Sequence, residues 1–132
     1  MVIDVNYIIL GMMSFMIPKS AKAKGRRLQQ FVRDTLRKAF SKSLEDGDIE
    51  SQLMGGTGED FVMSPLAKKK IPYSFECKNV ERLNLWGSLK QAEENSEDRE
   101  PVLVFTKNRT PMYCAIPFDV FIDLIKENDN DE

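Results

Sequence analysis

The sequence predicts an α/β protein, an α+β sandwich in which a mixed central sheet of about five strands is flanked by helices. Three observations predict it. Apolar residues recur at helical spacing between Leu28 and Phe40 and again between Phe118 and Ile125. Short runs rich in aromatic and aliphatic residues lie between these stretches, bounded by Gly, Pro, Asn or Asp. The order that results is helix, three strands, helix, two strands, helix, an alternation that sets helices against a sheet.

Taken in order, residues 1–18 are an apolar extension with no positive segment before the apolar run and no small-residue cleavage site after it, so a secretory signal is not expected. Met12, Met13 and Met16 leave two readings open: a natural start further downstream, or a translated segment in which Val5 to Leu10 forms an extra strand or an oligomer contact. Residues 18–25 (PKSAKAKG) read as a flexible basic lead-in. From Arg26 the period is helical, with Leu28, Phe31, Val32, Leu36, Ala39 and Phe40 on one side, and the helix is expected to stop near Leu44, before the turn Asp46-Gly47-Asp48. Ile49 to Leu53 and Phe61 to Met63 are strand candidates around a Gly-rich loop, and Leu66 to Lys70 is a short helical turn after Ser64-Pro65. Tyr73 to Lys78 is the third strand. Leu85 to Asn95 is the next helix, with Leu85, Trp86, Leu89 and Ala92 on one side and Trp86 read as a core residue. Val102 to Thr106 and Met112 to Ile116 are strands around the turn Lys107 to Thr110. Pro117 suits the first position of the last helix, whose apolar stripe is Phe118, Phe121, Ile122 and Ile125, widened by Val120 and Leu124. Residues 127–132 are an acidic tail, expected to be disordered.

With 132 residues the chain has room for one domain, placed at residues 19–126. Its 42% hydrophobic and 30% charged residues are an ordinary globular composition, and no apolar stretch is long enough to span a membrane. Cys77 and Cys114 form no spacing motif and sit in apolar runs, which reads as two buried free thiols of a reducing, cytoplasmic compartment. The chain has no histidine, which argues against a zinc site and against a histidine base. Net charge is −2, yet nine basic residues and one acid, Asp34, lie between Lys19 and Lys42. A local basic face on an acidic protein can still bind phosphates.

The third strand carries the chemistry. Side chains alternate across a strand, so Glu76 and Lys78 share one face while Phe75 and Cys77 share the other. Asp60 stands at the entry of the adjacent apolar strand, after the Gly-rich loop, where pairing of the two strands brings it towards Glu76. Two carboxylates brought together repel, and a divalent cation relieves the repulsion. Hard oxygen donors favour Mg²⁺ or Mn²⁺. Such an ion grips a phosphate and activates a water, while Lys78 orients that water or neutralises charge on the phosphorus. The set suits phosphodiester hydrolysis without histidine.

Gly58-Glu59-Asp60, then an apolar strand, then Phe75-Glu76-Cys77-Lys78, resembles the PD-(D/E)XK nuclease superfamily. Lys24 to Gln29 opening the first helix, and the Ser- and Gly-rich approach from Ser51 through Thr57 to Gly58, resemble its small phage-type Holliday-junction-resolvase-like branch. Trp86 to Ala92 resembles a helix in which such members carry a Gln, here Gln91. The resemblance covers about residues 19–126 and implies a restriction-endonuclease-like core. It implies a DNA endonuclease with Asp60, Glu76 and Lys78 as catalytic residues and Asp60 and Glu76 on Mg²⁺ or Mn²⁺, acting on duplex or branched DNA or as a homing-type enzyme. Gln29, Gln91, Ser51 and Thr57 are the auxiliary candidates. One departure stands out: Gln29 occupies the first-helix position where resolvase-like members place a Glu, which favours a one-metal centre. Glu59 and Glu50 are the acids that could compensate, although Glu59 should point opposite to Asp60. Lys22, Lys24, Arg26, Arg27 and Arg33, with Lys68, Lys69 and Lys70, are the expected contacts to DNA backbone. A domain of this size gains reach and symmetry as a homodimer. The alternative is a non-catalytic DNA-binding protein that retains a nuclease fold.

Overall fold

The computed structural model describes residues 20–53 and 58–129; the N-terminal extension, Thr57 and residues 130–132 lie outside them. A long helix (Ala21–Ala39, α1) opens the described chain. The Ser20 hydroxyl accepts the Ala23 N–H at 3.2 Å, and Arg37 and Lys38 sit in the last turn, where they face the negative end of the helix dipole. The lead-in of residues 18–25 is therefore corrected. The cap is Ser20, and the Ala-Lys-Ala-Lys that follows consists of good helix formers, so the helix starts five residues before Arg26. It also ends before Leu44, which turns inward and is buried.

A 3-10 turn (Asp46–Asp48) leads into Ile49–Ser51 (β1), which pairs antiparallel with Phe61–Met63 (β2). Pro65–Lys70 (α2) follows, capped by the Ser64 hydroxyl. Tyr73–Asn79 (β3) pairs in parallel with Glu100–Thr106 (β4), and β4 pairs antiparallel with Tyr113–Ala115 (β5). The parallel step from β3 to β4 is made by a crossover helix, Leu85–Asn95 (α3), packed on both strands. The last helix is Phe118–Asp129 (α4), so Glu127 to Asp129, expected in a disordered tail, are helical.

The α/β class stands, but the expected sheet of about five strands does not form. Among the described residues there are two sheets, one of two strands and one of three. The reason is chemical. On its open side β3 presents the N–H groups of Phe75 and Cys77, and these are taken by side chains rather than by a neighbouring strand. The Glu59 carboxylate accepts the first at 2.9 Å and the Asp60 carboxylate accepts the second at 2.6 Å. One backbone bond, from the Asp60 N–H to the Phe75 carbonyl at 3.2 Å, ties the two sheets together. A ladder cannot continue where carboxylates have replaced its carbonyl partners.

Phe75, Cys77, Val102 and Val104 share one face of the larger sheet, which packs with Leu28 and Val32 of α1, while Leu103 on the other face lies among the residues α3 covers. Leu28 and Ile49 are fully buried and anchor the contact of α1 with the β1–β2 hairpin. Truncating such a leucine to alanine costs about 2–5 kcal/mol. Two expectations about burial are corrected. Cys77 is buried but Cys114 is exposed, because β5 is a border strand and no helix of the described residues packs closely over it. Trp86 is 78% exposed, because it stands in the first turn of α3 while Ser88 and Ala92 take the inward positions. Among the described residues no helix is long and apolar enough to cross a membrane.

Candidate active site

Gly58 has a positive φ of 93°, a conformation open to glycine, and it turns the chain so that Glu59 and Asp60 arrive in succession at the open side of β3. Consecutive residues of an extended chain point to opposite sides, and these two carboxylates diverge.

Asp60 meets the candidate centre. Its carboxylate takes the Cys77 N–H, and its backbone carbonyl accepts the Gln52 N–H at 2.8 Å and the Gln29 side-chain amide at 2.9 Å. Gln29, buried on α1, thus fixes Asp60 from the helix side. Burial raises the Asp60 pKa, against the opposing pull of the Cys77 N–H, Lys78 and Gln29.

Glu76 and Lys78 lie on the face of β3 opposite to Phe75 and Cys77, as strand alternation requires, and the Lys78 ammonium stands 3.6 Å from the Glu76 carboxylate. Glu76 is 3% exposed, and among the described residues its Oε2 has no hydrogen-bond partner. Burial and then the neighbouring Asp60 charge push its pKa up to about 7, although Lys78 and the Asn95 amide oppose the shift. Two carboxylates therefore share a partly dry site with one lysine. Cys77 lies beneath them. Its burial and the surrounding carboxylates hold the thiol well above its ordinary pKa, so it is protonated and unreactive.

Glu59 takes the other direction. It forms a buried ion pair with Arg99, whose guanidinium also donates to the Tyr73 carbonyl at 2.8 Å. Burial still raises the Glu59 pKa despite Arg99. Glu50 is exposed and bound to Arg37 at 3.3 Å. Neither acid compensates for the Glu absent at Gln29, and among the described residues no group of three or more His, Cys, Asp or Glu is gathered to hold a metal ion.

The remaining sequence-predicted residues divide. Lys22 and Arg26 are exposed along α1, and Lys68, Lys69 and Lys70 are exposed on α2. Lys24 is tied to Glu81 at 3.8 Å, with its side chain 12% exposed. Arg33 pairs with Asp34 and reaches the Ser51 hydroxyl at 3.5 Å, and Arg27 is half-buried. Ser51 therefore faces Arg33, and Gln91 is exposed on α3. Two residues with roles at the site were missed in the sequence. Asn95 was signalled, because it lies seven residues after Ser88 and three after Ala92, on the inward side of α3. Arg99 carried no comparable signal, because its position depends on the parallel register of β3 and β4.

Comparison of the chain with family models, with curated proteins and with solved structures returns no match.

Proposed function

We propose that this chain is a metal-dependent DNA endonuclease of the PD-(D/E)XK class, with Asp60, Glu76 and Lys78 as its catalytic centre. The observation that carries the reading is the buried Glu76 carboxylate, with an oxygen unpartnered among the described residues, coupled to Asp60 and 3.6 Å from Lys78. A structural ion pair would leave neither a second carboxylate nor an orphaned oxygen in a dry site.

The donor set fits one hard divalent cation. Mg²⁺ is commonly held by one or two carboxylates, with water and phosphate oxygens completing its shell. Asp60 and Glu76 would hold it through oxygen, and once bound it polarises the phosphate and lowers the pKa of an attacking water. The chain's own residues supply the rest. Asp60 is held in place by the Cys77 N–H, and Gln29 anchors its backbone. Lys78 presents positive charge where negative charge grows on the phosphoryl oxygens as the water oxygen bonds to phosphorus and the ester oxygen leaves. Lys22, Arg26 and Lys68 to Lys70 bind the backbone of the DNA at either side, a salt-sensitive contribution independent of sequence. With Gln29 in the place of a third acid, the proposal is a one-metal centre, and the substrates considered are branched DNA, as for the resolvase-like branch, and duplex DNA, as for a homing-type enzyme.

The test is a panel of end-labelled duplex, single-stranded and branched DNAs incubated with Mg²⁺ or Mn²⁺. Wild type should cut at least one of them, while Glu76→Ala and Lys78→Ala should not. If every DNA stays intact, or the variants cut as well as wild type, the enzyme reading fails. A second reading is favoured by one observation, the neutral Gln29 with no third acid at the centre among the described residues. That reading is a DNA-binding protein without catalysis, and salt-dependent binding with no metal-dependent cutting would select it.

A further inference from the structure

The last helix has an exposed apolar face that the described residues do not cover. Val120 is its buried residue, whereas Phe118 is 77% exposed, Phe121 49%, Leu124 37% and Ile125 46%. Its acids Asp123 and Glu127 are exposed as well. An amphipathic helix that is stable alone turns its apolar stripe inward, and this one leaves most of its stripe in water. A contiguous exposed apolar stripe marks a contact surface.

A groove of about 250 Å³ lies elsewhere on the same chain, floored by Val104 and walled by Phe31, Thr35 and Leu36 of α1 and by Met112 and Cys114 beside and on β5. It exists because α1 does not extend over β5, so the border of that sheet face is left open. We propose that the chain forms a two-fold symmetric homodimer in which α4 of each copy seats its apolar stripe in the groove of the other. Charge chooses the occupant. The wall helix α1 carries seven basic residues and one acid, whereas α4 carries four acids and one base. An acidic amphipathic helix is the complement of a groove beside a basic one. Pairing α4 with its own copy instead would set acidic helix against acidic helix. Each chain carries both the groove and the helix, so two copies satisfy each other reciprocally and the assembly closes. The contact lies on the central part of α1 and leaves Lys22 and Arg26, near its start, open. The inference does not depend on the nuclease reading, because neither surface includes Asp60, Glu76 or Lys78.

Cys114 supplies the probe, since it lies exposed in the groove while Cys77 is buried. The full chain is measured by equilibrium sedimentation at micromolar concentration and should be a dimer. Phe121→Asp with Ile125→Glu alters exposed positions only, so the variant should keep the wild-type circular dichroism while the dissociation constant rises on the order of 100-fold or more. Phe121→Cys treated with a mild oxidant should give a disulfide-linked dimer, and Cys114→Ser in that background should abolish it. A linked dimer that persists without Cys114 would mean helix on helix and overturn the arrangement. A monomer whose Cys114 is shielded from a thiol reagent would mean that residues 1–17 of the same chain fill the groove, which also overturns it. So would a dimer unaffected by the double variant.

Discussion

Glu59 and Asp60 are adjacent carboxylates that approach the same strand and accept alternate N–H groups of it, yet they meet opposite fates. Glu59 is joined to Arg99 in a buried ion pair with its charge answered. Asp60 is set beside a second acid, Glu76, with one lysine for the two of them. What separates them is a single step along an extended chain, which sends one side chain towards Arg99 and the other towards Lys78. The first arrangement pairs charge with charge and holds the hairpin in place, although among the described residues the Arg99 Nε finds no hydrogen-bond partner. The second is short of positive charge, and that deficit is what makes it a candidate site for a cation and a phosphate.

The comparison can be broken at its strongest point first. Glu76→Ala or Asp60→Asn should lower Mg²⁺-dependent DNA cutting on the order of 10³-fold or more, because the ion's several kcal/mol of transition-state stabilisation go with its ligands, as single-turnover assays on the sensitive DNA would show. Arg99→Leu should act on stability instead. It strands the Glu59 carboxylate in a dry site, and urea unfolding should report a loss of about 3–5 kcal/mol.

Glu76→Gln sharpens the contrast by moving stability and activity in opposite directions. The folded-state pKa of Glu76, about 7, lies above its ordinary value of 4.5, so the native protein holds a proton that the unfolded chain releases. Stability of the metal-free protein is therefore highest below pH 4.5, falls as pH rises through that window and levels off above about 7. The amide carries no such penalty. In metal-free buffer the variant should exceed wild type by about 2–3 kcal/mol at pH 8 and match it near pH 4, while it cuts no DNA. Equal pH profiles for the two proteins would show that Glu76 is not strained in the way described. Smallest of all, Lys69→Ala or Lys70→Ala should weaken DNA binding only a few-fold and reduce the salt slope by about one, measured by fluorescence anisotropy across a salt series.

Much of this arrangement was legible beforehand because it rests on local rules. The alternation that puts Glu76 and Lys78 together is a property of any strand, and the inward stripe of α1 follows from periodicity. Asp60 was expected beside Glu76 through pairing of β2 with β3; that ladder does not form, and the Asp60 carboxylate and one backbone bond bring it to β3 instead. The failures are all tertiary. No local rule says that the Glu59 and Asp60 side chains, rather than a strand, would occupy the side of β3, so the expected sheet divides in two. Trp86 looked like core because it is large and apolar, but Ser88 and Ala92 take the inward positions of α3 and leave it in water. Cys114 looked buried because its run is apolar, although no helix of the described residues packs closely over β5. Arg99 was invisible because the register that delivers it to Glu59 spans 40 residues of chain.

The two carboxylates on the open side of β3 have a further consequence, for the protein's behaviour in crowded solution. A border strand with free N–H groups is a template on which a foreign strand can grow. Here the groups at Phe75 and Cys77 are already engaged by negatively charged side chains, which offer an incoming backbone neither a donor nor a neutral approach. β5, at the other border, is three residues long, too short to template much. Asp60, one of the two acids that make the site electrostatically uneasy, thereby also joins Glu59 in guarding the sheet against aggregation, so its loss would expose the protein to a hazard separate from any loss of chemistry.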